Sequence, residues 1–177
     1  KILGSTTRHV PSEHRDVLAY KNALEYIEET WTASGKPVTY ATAATLAEFA
    51  LTHPKETIER SMSATEGPIK TTLEYLENQT DHPVIQAGIA LCLLSTSAAI
   101  PGDAGLVARL VSATFLAKYG FDCRGLLTVE KHWLSAESSY TIALASHIKQ
   151  GNLNHWLQFY AQTMADNLRE RIDDVSN

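Results

Sequence analysis

Between His82 and Arg109 the chain reads HPVIQAGIALCLLSTSAAIPGDAGLVAR. No charged residue interrupts it from Pro83 to Ile100, and apolar or small side chains fall on every face at helical spacing. A helix without a polar face is one that other helices surround. The run is about long enough to cross a bilayer. However, Gln86, Ser95, Thr96 and Ser97 break its apolarity, and no basic or aromatic belt flanks it. The expectation is therefore a core helix over about residues 82–99, with Ile89 and Leu93 buried and no membrane association. Asp81 is placed to cap it, and Pro83 in the first turn costs nothing, because that amide has no helical acceptor. Ile100-Pro101-Gly102-Asp103 predicts a sharp turn. Leu106, Leu110, Ala113, Thr114 and Ala117 then predict a helix from about 103 to 119, ended by Tyr119-Gly120.

Two such apolar helices need amphipathic neighbours, and the flanking sequence supplies them. Ser12 is placed to open a first helix, whose apolar positions Val17, Leu18, Tyr20, Leu24 and Ile27 recur at helical spacing. Ser34-Gly35-Lys36-Pro37 stops it, and Thr39 caps a second helix through Leu46, Phe49 and Ala50 that ends at His53-Pro54. A third helical stretch covers Glu56 to Asn78, interrupted or restarted at Gly67-Pro68. Beyond a loop with Phe121, Asp122, Arg124 and Gly125, one long helix is predicted from about Val129 to Lys149, with Gly151 at its end. A last helix from Leu153 to about Asp173 carries Trp156, Leu157, Tyr160, Met164 and Leu168. No alternation of period two persists anywhere. These patterns predict an all-α bundle of about seven helices. It forms one domain over residues 14–173, behind an N-terminal extension of residues 1–13.

Composition narrows the function classes. The chain has 177 residues, 44% hydrophobic and 20% charged, which suits a packed domain rather than a disordered one. Its formal net charge is −5 with Lys and Arg scattered, so nothing tracks a phosphate backbone and nucleic acid is not an expected partner. Cys92 and Cys123 form no CxxC pair, and no secretory leader opens the chain, which points to a reducing, cytoplasmic setting. A start at Lys1 rather than Met reads as part of a longer protein. The seven histidines (His9, His14, His53, His82, His132, His147 and His155) form no HExxH or comparable pair, so no metal is expected. Trp31, Trp133 and Trp156 read as core or interhelical packing.

The 82–109 stretch resembles the heart of a Fic (filamentation-induced-by-cAMP, or Fido) domain. Members of that family carry the form HPLIRAAIAHxxFxxIHPFxDGNGRxxR. His82-Pro83, Ile85, Ala87, Ile89-Ala90, Gly105, Ala108 and Arg109 match it. Lys118-Tyr119-Gly120-Phe121-Asp122 is similar to the turn that follows the motif in the family. Tyr140-Thr141-Ile142-Ala143-Leu144 and the Gly151-to-Tyr160 stretch GNLNHWLQFY resemble its later signatures, so the similarity spans about residues 14 to 165.

The resemblance implies an AMP-transferring scaffold whose working residues are missing here. In the family the motif His is the general base, its acid holds Mg²⁺, the Gly-Asn-Gly amides cradle phosphates and its arginines neutralise them. Aligned without gaps, the base position is Ala98, the acid is Gly102, the triplet is Asp103-Ala104-Gly105, the first Arg is Leu106, and only Arg109 survives. Sliding the register to match Pro101 puts Ile100 at the base position. Asp103 reads as a helix cap more readily than as a displaced metal ligand. Arg109 reads either as a residual phosphate ligand or, more simply, as an arginine paired with a carboxylate on a neighbouring helix. The family's β-hairpin flap is expected to be reduced or absent, since Thr52 to Pro68 is helical in pattern. Its regulatory-helix signature is one position out at Ser63-x-x-Glu66-Gly67.

The expected function is a catalytically inactive, protein-binding or regulatory module. Its partner would be another protein or a second copy, and no cofactor is expected. At most, residual anion binding would involve Asp103, Ala104, Gly105 and Arg109. The alternative is a diverged transferase that uses ATP and Mg²⁺ with Asp103, Arg109 or Arg124.

Overall fold

The computed structural model describes residues 12–52, 54–96, 104–121 and 129–176. Among them are nine helices and no strand: α1 Ser12–Trp31, α2 Tyr40–Ala50, α3 Lys55–Ala64, α4 Glu66–Glu77, α5 Pro83–Thr96, α6 Ala104–Lys118, α7 Val129–Ser135, α8 Glu137–Gln150 and α9 Asn154–Ser176. No helix is long and apolar enough to cross a membrane among the described residues.

Helix α5 is the centre, as its uncharged sequence requires. Val84, Gln86, Ala87, Gly88, Ile89, Ala90, Leu91, Cys92 and Leu94 are all buried on it. It packs most extensively on α6, whose Val107, Leu110, Val111 and Phe115 are buried in turn, and it also meets α4, α8 and α9. Helix α9 comes closest at Gly88, where the Trp156 indole N–H donates to the Gly88 carbonyl at 2.7 Å. The hydroxyls of Tyr160 and Ser112 lie 3.0 Å apart and join α9 to α6. On the other side, α6 meets α1 and α2, and the turn after α1 hangs on the end of α6 through Ala33 N–H to Ala117 O (2.9 Å) and Gly35 N–H to Lys118 O (3.2 Å).

Several boundaries differ from the sequence pattern. The third helical stretch divides at Thr65 rather than at Gly67-Pro68. Thr65 leaves the helical region, with φ −122° and ψ 8°, while Pro68 falls in the first turn of α4, where a missing N–H has no cost. The long helix over 129–149 likewise divides at Ala136, at φ −118° and ψ 35°. These breaks explain nine helices where about seven were expected. His82, not Asp81, starts α5. Its carbonyl accepts the Ile85 and Gln86 amides, and its Nδ1 accepts Val84 N–H at 3.3 Å.

On α1 the buried residues are Ala23, Ile27 and Trp31, whereas Val17, Leu18 and Leu24 are exposed. The core follows the stripe i, i+4, i+8, and the extra apolar residues lie outside it. Phe49 is exposed on α2 and stacks on Tyr26 at 4.8 Å, a surface contact between helices. Leu93 is only half-buried, because it lies on the one edge of α5 that its neighbours leave partly open. Helix α3 occupies the segment where a flap hairpin was sought. The predicted turn at 100–102, together with residues 97–99 and 103, lies outside the described residues.

Candidate functional site

The helices fall into two groups with a seam between them. Helices α1 and α6 pack together, as do α7, α8 and α9, but the backbones of α1 and α6 do not come close to those of α7 or α8 among the described residues. Helix α5 bridges the groups by packing on α6, α8 and α9. The seam is a cleft of about 480 Å³. Tyr20 of α1 and Leu106 and Arg109 of α6 line one wall; Trp133 of α7 and Glu137, Tyr140 and Thr141 of α8 line the other.

Each wall is positioned by packing beneath it. Val107, Ala108, Leu110 and Val111 are buried, so the seating of α6 on α5 leaves Leu106 and Arg109 half-exposed toward the cleft. Arg109 Nη1 lies 4.0 Å from the position a Cβ on Gly105 would take, so the guanidinium folds back along the first turn of α6. The opposite wall rests on an aromatic cluster. Trp133 and Tyr140 have ring centroids 5.7 Å apart, Tyr140 meets Trp156 edge-on at 5.5 Å, and Trp133 lies 6.3 Å from Tyr160. Contacts of this kind hold the rings in one arrangement.

The electrostatics are balanced rather than cationic. Arg109 is the one cation and Glu137 the one anion among the described lining residues, and they sit on opposite walls. No ion pair joins them, and Arg109 has no carboxylate within ion-pair distance among the described residues. The simpler reading of Arg109, paired to a neighbouring helix, is thus not what the described residues show. Burial pushes the Tyr140 phenol above its ordinary range; the Arg109 charge pulls it down and Cys92 pushes it up. At the cleft, Tyr140 is therefore a neutral hydrogen-bonding group.

Of the residues singled out from sequence, Leu106 and Arg109 line this cleft, and Ala104 and Gly105 open the helix that carries them. Ala98, Ile100, Pro101, Gly102, Asp103 and Arg124 lie outside the described residues. Trp133 is buried, as core packing predicts, and also forms part of the wall. Sequence reasoning missed Glu137. Nothing local distinguishes it from an ordinary acid in a first helical turn, and only the placement of α8 across from α6 gives it a role.

A second cleft, of about 370 Å³, lies between residues 37–41 and α4, with Glu66, Lys70, Glu74 and Glu77 along its helical side. Burial, then the charge of Glu66, raises the Tyr40 phenol there. Among the described residues no group of three or more His, Cys, Asp and Glu side chains is placed to hold a metal ion. Compared with known proteins, the chain matches no family model and no curated protein.

Proposed function

We propose that this chain is a binding or regulatory domain on a Fic-like helical scaffold that does not transfer nucleotides. The observation that carries the reading is the charge balance of the seam, where Arg109 faces Glu137 and Leu106 sits beside it. A site built to move part of a nucleoside triphosphate needs several positive groups or a metal where charge develops, because electrostatic stabilisation is the largest part of such catalysis. Among the described lining residues one arginine is offset by one carboxylate. The resemblance adds that the base position is Ala98 and the metal-acid position Gly102. Alanine takes no proton, and loss of a positioned base alone costs about 10²–10⁴ in rate. The domain then acts through what it holds, with a protein or a second copy of itself as partner.

The test is incubation with labelled ATP, Mg²⁺ and a cell lysate, beside an enzyme that bears the full motif. No transferred label is expected. Label that Arg109→Ala abolishes would make the domain a diverged transferase and overturn the reading.

A further inference from the structure

We infer that the seam binds a zwitterion, with its carboxylate on Arg109, its ammonium on Glu137 and its apolar body against Leu106, Trp133 and Tyr140. This rests on the reading of the domain as one that binds rather than transfers. A cavity of about 480 Å³ is the size of a small-molecule site. Arg109 and Glu137 line the same cleft, and no ion pair joins them among the described residues. The backbones of α6 and α8 stand apart among the described residues, so the two side chains reach the cleft from opposite walls. The wall that carries Glu137 is backed by the Trp133–Tyr140–Trp156 ring contacts. Among its described lining residues the cleft offers one positive and one negative group, with apolar and aromatic surface beside them.

Charge matching selects the ligand class. A polyphosphate would satisfy Arg109 but meet repulsion at Glu137, and a polyamine would do the reverse. A molecule with one carboxylate, one ammonium and an apolar group satisfies both, and Leu106, Trp133 and Tyr140 take its body. Free α-amino acids with aromatic or aliphatic side chains and the ends of short peptides share this chemistry.

The test is calorimetric titration of the full chain with phenylalanine, its N-acetyl and amide derivatives, diphenylalanine and AMP. A hydrogen bond to a charged group is worth enough that losing one lowers affinity by about tenfold or more. Phenylalanine or the dipeptide should bind, with each blocked form about tenfold weaker or worse; which of the two binds tighter identifies the source. Arg109→Gln should erase the penalty of the amide, and Glu137→Gln, on an exposed helical position, that of the acetyl group. Arg109→Lys, checked for folding by circular dichroism, should retain part of the affinity. Equal binding of blocked and free forms, tighter binding of AMP, or no zwitterion binding at millimolar concentration would overturn the inference. Any of these results leaves the transfer assay untouched, so the two readings fail separately.

Discussion

Gly88 is where α5 comes close enough to α9 for a tryptophan to donate to its backbone. A Cβ built there would lie 2.8 Å from Tyr160 Cδ1 and 3.2 Å from Leu157 Cδ2. Tyr160 is 1% exposed and paired with Ser112, so it has little room to give way. In an open helix, Gly→Ala gains about 1 kcal/mol, whereas overpacking a filled core costs about 1–3 kcal/mol. Gly88→Ala should therefore lower stability, by up to about 2 kcal/mol in urea unfolding; a stabilised variant would show that α9 can shift outward. Four residues further on, burial pushes the Cys92 thiol up to about 12. The folded chain holds that proton more tightly than the unfolded chain. The associated stability is thus whole below about pH 9 and lost as pH rises toward about 12. Tyr140 shifts in the same direction. The urea midpoint should fall across that alkaline window, and Cys92→Ala should flatten part of the fall; an unchanged slope would mean that the thiol is accessible to water.

Along α5 the burial pattern ranks the cost of truncation. Leu94 is 1% exposed while Leu93 is half-buried, although both lie in the same apolar run. Leu94→Ala should cost about 2–5 kcal/mol, and Leu93→Ala less than about 2 kcal/mol, by chemical denaturation. Equal losses would mean that the helix is rotated from the orientation described. Helix existence was legible here because a charge-free run bounded by Pro83 and a Pro-Gly turn has few alternatives. Orientation was not legible, since a helix apolar on every face gives periodicity nothing to choose between. On α1, Ile27 of the expected apolar face is buried, but Val17, Leu18 and Leu24 are exposed, and Ala23 and Trp31 complete the buried stripe. Gly67-Pro68 marked the break at Thr65 to within two residues, whereas the break at Ala136 has no proline or glycine near it to mark it. Of the candidate site, Leu106 and Arg109 could be read from a single stretch of sequence. The other wall arrives on α7 and α8, and no local pattern announces which of their residues meet Arg109.

At the scale of the whole molecule, one ionic node ties three segments together. Lys118 ends α6 with its side chain 2% exposed, and its ammonium lies 2.6 and 2.8 Å from the two oxygens of Glu77 at the end of α4. Glu77 Oε1 also accepts the Val38 amide at 2.8 Å, which fixes the loop between α1 and α2. The ammonium lies over the Phe115 and Tyr119 rings, 5.3 and 4.8 Å from their centroids. A buried pair adds little over an apolar replacement, but removal of one partner leaves the other charge stranded. The two ends are unequal: Glu77 is 21% exposed and keeps some water, while Lys118 has almost none. Glu77→Gln, which retains an acceptor for Val38, should therefore cost about 3 kcal/mol. Lys118→Met should cost less, because the carboxylate it leaves behind is partly solvated and still accepts an amide. In the double variant no charge is stranded, so its loss should fall short of the sum of the single losses by about 1–3 kcal/mol. Urea unfolding of the four proteins measures that cycle directly. Strict additivity would mean that the contact between α4 and α6 is held by packing alone, and that the Glu77 carboxylate serves only the Val38 amide.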